Sequence, residues 1–191
     1  AENLTPAVEF VCRQARVSLS EISCVAVDHG PGLFTGLRVG VASGKAIAQA
    51  LRVPMIAVSS LDLVAFPLRF SDRRIAAVID ARRSEVFWAF YRPVPGGIQR
   101  VTEPVVSRPE ELVAELQAQP DDTLVVGDGA VRYAELFERR PGVELAGGDL
   151  AYPASRSRVQ LAHARTLRED WIQPHQGDLS YLRTPDAATK W

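Results

Sequence analysis

One stretch constrains the fold of this chain more than any other: Asp28-His29-Gly30-Pro31-Gly32-Leu33-Phe34-Thr35-Gly36-Leu37-Arg38-Val39-Gly40. It follows an apolar run, residues 22–27, that predicts a buried strand. It precedes an Ala-rich run, residues 37–51, that predicts a helix. A strand, a glycine turn and a helix in succession can present backbone N–H groups to an anion. The spacing G-x-G-x-x-x-G is not the dinucleotide fingerprint, and no Gly-Lys-Ser/Thr follows Gly36 as a Walker A loop requires. Two readings stand. The turn is a tight strand-to-helix connection, or it is a phosphate contact through Gly30, Gly32, Thr35 and Gly36.

The segments around this stretch divide into two blocks. In the first, Asn3 or Thr5 caps a helix with Pro6 in its opening turn, and Val8, Val11, Cys12 and Ala15 share one face. The helix over residues 37–51 carries Leu37, Val41, Gly44, Ala48 and Leu51 on one face. Ala42, Ala46 and Ala50 form a second row at i, i+4 spacing, with Gly40 adding to the small surface. Gly44 inside a helix costs about 1 kcal/mol relative to Ala, so a close neighbour is expected. That neighbour is either the chain's own sheet or a helix of another chain. A strand over 55–58 and a helix from Ser60, ended by Pro67, complete the block.

The second block starts at Ser71. It predicts strands at 75–80, 85–91 and 98–106, with Arg82-Arg83-Ser84 as the first turn. Val86, Trp88 and Phe90 alternate with Phe87, Ala89 and Tyr91, which predicts a sheet covered on both faces. A helix over 109–116, a strand over 123–126, a glycine turn at 127–129, a helix over 131–137, a strand over 143–145 and a helix over 159–171 follow. The tail, 174–191, reads as irregular.

The order of the second block is βββαβαβα, and the first block gives αβαβα. The expected fold is therefore α/β: a duplicated βββαβαβα unit of the actin-like, ribonuclease-H-like (ASKHA) architecture. The first copy lacks its opening strands. The two copies divide at residues 1–70 and 71–191. The alternative is a doubly wound sheet of the dinucleotide-binding type.

The candidate chemistry is sparse. A formal net charge of -1 gives no global electrostatic case for nucleic acid or membrane. His29, His163 and His175 form no H-x-x-x-H pair, and Cys12 and Cys24 have no C-x-x-C spacing, so no metal site and no disulfide framework are expected. The cysteines suit a reduced cytosol, and no apolar run is long enough to span a membrane. No G-x-S-x-G is present. The turn Asp80-Ala81-Arg82-Arg83-Ser84-Glu85 lacks the glycine of a phosphate turn. Arg82 and Arg83 offer instead a charge that binds phosphate or a partner's carboxylate, unless the hairpin is only a solvated one.

Residues 30–40, Gly-Pro-Gly-Leu-Phe-Thr-Gly-Leu-Arg-Val-Gly, closely resemble the G-P-G-S-F-T-G-L-R-I-G signature of the TsaB (YeaZ) family. Val58-Ser59-Ser60-Leu61, residues 79–87 and Tyr181-Leu182-Arg183 are similar too. Leu33 departs from the family's small residue, and the family's opening strands with their Asp-Thr-Ser type segment have no counterpart here. The resemblance implies an actin-like fold with a degenerate nucleotide site. It implies no catalytic residue and no metal. It also implies no tightly bound cofactor, with ATP or ADP held weakly or shared at an interface. The implied role is a cytoplasmic, non-catalytic partner of TsaD in threonylcarbamoyladenosine modification of tRNA. TsaE joins the larger complex, tRNA is reached only through the complex, and a homodimer forms without TsaD. The implied interface is a helical bundle on Leu4, Val8, Val11, Leu37, Val41, Ala42, Ala46 and Ala50. An actin-like ATP-binding phosphotransferase and a peptidase of the same fold are the competing expectations.

Overall fold

The structure, a computed structural model, describes residues 4–119 and 121–174. The chain builds an α/β fold on two sheets. The first sheet pairs β1 (Val25–Asp28) in parallel with β2 (Met55–Val58), from Val25 opposite Met55 to Asp28 opposite Val58. Side chains alternate across a strand. Val25, Val27, Met55 and Ala57 therefore face α2 (Phe34–Leu51), where they meet Val41 and Ala48. Ala26, Ile56 and Val58 face the other way. They meet Leu63 of α3 (Ser60–Ala65) and Leu161 and Ala162 of α7 (Ser155–Leu167).

The second sheet runs β5 (Gly97–Arg100), β4 (Glu85–Val94), β3 (Arg74–Arg82), β7 (Thr123–Val126), β8 (Val143–Leu145), with β6 (Val105–Ser107) also paired to β4. β4 is antiparallel to β3, β5 and β6, whereas β7 is parallel to β3 and β8. Leu61, Val64 and Ala65 of α3 cover one face, against Ile75, Ala77, Ile79, Phe87, Ala89 and Tyr91. The other face carries Ala76, Val78, Val86, Trp88 and Phe90. These pack on Leu112, Val113 and Leu116 of α4 (Pro109–Ala118), Ala130 of α5 (Asp128–Arg132) and Phe137 of α6 (Ala134–Phe137). The alternation along residues 86–91 is thus the division between two cores.

Several sequence boundaries shift for physical reasons. α2 begins at Phe34, so Thr35 and Gly36 lie in its first turn rather than in the preceding turn. The expected strand over 98–106 is two strands on the two halves of β4. Between them the Thr102 hydroxyl takes the N–H of Phe90 at 2.9 Å, and Pro104 has no N–H to offer a ladder. The helix expected at 131–137 breaks at Tyr133 into α5 and α6. Gly127 opens α5 at φ 118°, where a Cβ would lie 2.0 Å from the Val78 carbonyl oxygen. The last helix, expected over 159–171, runs Ser155–Leu167, with Ala154 at its N-cap. Pro67 continues α3 as a 3-10 turn, Phe66–Leu68, instead of ending it.

The division at residues 70 and 71 also needs correction. α7 returns to the first sheet, and Ile172 bridges Met55 at the edge of β2. The tail beyond Pro174, with Tyr181-Leu182-Arg183, lies outside the described residues. Among the described residues no helix is long and apolar enough to cross a membrane.

Candidate functional site

The signature turn is held by Asp28 at the end of β1. One carboxylate oxygen accepts the Gly30 N–H at 2.9 Å and the Ser60 hydroxyl at 2.6 Å. The Ser60 N–H in turn donates to the Gly30 carbonyl at 2.8 Å. Gly30 has φ 102°, where a side chain would be strained, and the Gly30–Pro31 peptide is cis. The Gly30 N–H is therefore spent inside the protein. This gives the first of the two readings, the strand-to-helix connection, a concrete mechanism. Gly36 has open space above its Cα, and Gly32 sits in ordinary contact with Leu37.

α2 has two distinct sides. Val41, Gly44 and Ala48 are buried against the sheet, and a Cβ on Gly44 would come 2.3 Å from Val27 Cγ1. The close neighbour of Gly44 is thus the chain's own sheet. Ala42, Ala46 and Ala50 lie on the exposed side, with Leu37 half-buried. Val41, expected in the partner interface, is corrected: at 5% exposed it belongs to the core with Val27 and Met55. α1 (Leu4–Ala15) has no buried residue. Leu4, Phe10 and Val11 are exposed and Val8 is half-buried. Cys12 and Cys24 are free and half-buried.

Arg82 and Arg83 stand on the other sheet, at the β3–β4 hairpin. Arg82, Arg83 and Ser84 all have positive φ (62°, 54° and 59°), a region that non-glycine residues adopt at a cost. The buried Asp80 holds the first of them. Its carboxylate accepts the Arg82 N–H at 3.0 Å and pairs with the Arg82 guanidinium at 3.1 Å and the Arg132 guanidinium at 3.0 Å. Asp128 of the second glycine turn accepts the Asp80 N–H. An acidic group that could hold a metal–nucleotide complex is therefore already claimed by two cations of the same chain.

The family model described as "TsaD: tRNA N6-adenosine threonylcarbamoyltransferase" matches residues 1–155. The tRNA threonylcarbamoyladenosine biosynthesis protein TsaB of Escherichia coli (strain K12) is 30% identical over 95% of this chain and 80% of its own length. The chain belongs to the TsaB (YeaZ) family. TsaB of Bacillus subtilis (strain 168) is 28% identical over 97% of this chain. A solved structure of YeaZ from Pseudomonas aeruginosa superposes with a TM-score of 0.81 at 30% identity, covering 95% of this chain and 83% of that one.

Against this family member's sequence, the structure adds one constellation that no motif announced. Asp62 of α3 is buried. It accepts the Tyr91 hydroxyl at 2.9 Å and Arg100 at 2.8 Å, and it faces Arg165 at 3.5 Å. Burial and the Asp62 charge push the Tyr91 phenol up. Burial pulls the nearby His29 imidazole down, against the opposing fields of Asp28 and Asp62. The four side chains come from α3, β4, β5 and α7, and no periodicity links them. Arg132 was equally silent, since its partner Asp80 lies in another element.

Proposed function

We propose that this chain is a non-catalytic partner of TsaD in bacterial threonylcarbamoyladenosine biosynthesis, cytoplasmic and built on the actin-like duplicated fold. One observation carries the reading: α2 turns a row of alanines, Ala42, Ala46 and Ala50, to the outside while its inner face is complete without them. Exposed alanine rows let a second helix approach closely, and the uncovered apolar residues of α1, Leu4 and Val11, extend the apolar surface. TsaD occupies this surface, TsaE joins the assembled pair, and tRNA is met through the complex. Without TsaD the same surface pairs two copies, as an isologous dimer reuses one patch on each subunit.

The competing activities find less support. An ATP-dependent phosphotransferase would have to displace Arg82 and Arg132 from Asp80, so nucleotide is held weakly at that hairpin. A serine peptidase needs an accessible nucleophile, whereas Ser60 is buried and its hydroxyl is tied to the Asp28 oxygen that also holds the Gly30 N–H.

Ala46→Trp tests the proposal. Ala46 is exposed, so the larger ring overpacks no interior of this chain, and circular dichroism should report an unchanged fold. TsaD pull-down and light scattering should both report lost association. A folded variant that captures TsaD as well as the parent does would refute the assignment of this surface.

A further inference from the structure

Every residue of α3 is buried, yet the helix does not serve one core alone. Successive helix positions point about 100° apart. Leu61, Val64 and Ala65 face the second sheet, and Leu63 faces the first, where it meets Ile56, Val58 and Ala162. Asp62 falls between those two sides, at the seam. The chain crosses from one sheet to the other over residues 59–73, which contain α3, and returns over residues 146–154.

The Asp62 carboxylate divides its two oxygens between the halves. Oδ1 accepts the Tyr91 hydroxyl of β4 at 2.9 Å and Arg100 of β5 at 2.8 Å, both on the second sheet. Oδ2 faces the Arg165 guanidinium of α7 at 3.5 Å. Arg165 also donates to the carbonyl of Ala57 in β2, so its far end is fixed to the first sheet. Apolar contacts such as those of Leu63 are non-directional, and packed elements slide across them in small steps. Charged hydrogen bonds are short and directional, and cutting one leaves a buried charge without its partner. Of the two kinds of contact across the seam, the charged one sets the angle.

We propose that Asp62 is a latch that fixes the angle between the two sheets. Arg165 is its catch on the first sheet, and Tyr91 and Arg100 are its anchors on the second. With the latch cut, the first sheet and α7 swing about α3 relative to the second sheet. The latch is independent of the TsaD surface proposed above, which lies on α1 and α2.

Pulsed electron resonance between two nitroxide labels reads the angle as a distance. The labels sit at Gln49→Cys in α2 and Gln117→Cys in α4, both exposed positions, in the whole chain carrying Cys12→Ser and Cys24→Ala. The parent should give one narrow distance distribution. Asp62→Asn keeps the shape but puts a donor where one oxygen accepted, so one half loses its hold and the distribution should broaden or split. Arg165→Met keeps the apolar stem and removes the guanidinium, and it should broaden the distribution from the other end. Asp62 then still holds Tyr91 and Arg100, so this variant is expected to fold even where Asp62→Asn does not. Arg168→Gln changes an arginine on the wall of the same cavity, outside the Asp62 bonds, and should leave the parent's distribution. Circular dichroism checks the fold of each variant. A broad distribution in the parent overturns the proposal. So does a folded Arg165→Met that stays narrow, whatever its melting temperature, because the ion pair would then add stability without setting the angle. Equal broadening by Arg168→Gln overturns it as well. TsaD capture by Arg165→Met should equal the parent's, which separates failure here from failure of the partner assignment.

Discussion

Gly44→Ala and Gly40→Ala change two glycines one helical turn apart in α2, and they should act in opposite directions. Alanine favours a helix interior by about 1 kcal/mol over glycine at either position. At Gly40 nothing lies within 4 Å of the added methyl, so that gain should appear almost whole. At Gly44 the methyl would stand 2.3 Å from Val27 Cγ1. Val27 is 7% exposed and packs in one cluster with Val41, Ala48 and Met55. Its β-branched side chain has few rotamers to escape into. Overpacking of this kind costs about 1–3 kcal/mol, which exceeds the propensity gain. The net effect at Gly44 is a loss of about 1 kcal/mol, or about 2–4 °C in Tm for a chain of this size. Urea unfolding followed by circular dichroism reads both variants, and an unchanged slope confirms that stability alone has moved. A Gly44→Ala variant at least as stable as the parent would refute the argument, because α2 would then not be seated on Val27.

Two further measurements bear on the architecture. Gly127→Ala should cost about 3 kcal/mol or more, combining a strained positive φ with a Cβ only 2.0 Å from a backbone oxygen that cannot rotate away, and thermal melts should show it. His29 is depressed in the folded state by burial, so the unfolded chain binds its proton first. The stability this contributes is complete above the ordinary histidine value and is lost as pH falls below it; His29→Asn should flatten the dependence of Tm between about pH 7 and pH 5.

Local pattern was enough to reveal much of this protein. The apolar stripe of α2 could be read residue by residue because a helix repeats every 3.6 residues, and Val41, Gly44 and Ala48 all face the sheet as that period requires. The two cores on either side of β4 follow from the period of two in the same way. The glycine-rich signature at residues 30–40 located the strand-to-helix turn and the family, since its spacing is itself the information.

What escaped the sequence were groupings between distant segments. Nothing in residues 155–167 says that α7 leaves the sheet that precedes it to pack on Ile56 and Val58. The choice depends on which sheet still has an uncovered face, and that is known only once both are assembled. The family resemblance implies a partner interface that includes Val41, but the folded core claims that side chain with Val27 and Met55. Asp62 meets residues 29 and 38 positions away, Tyr91 and Arg100, and Asp80 meets Arg132 at 52. A buried carboxylate must find compensating donors, but which ones it finds is decided by where the elements cross, and only the tertiary structure contains the crossings.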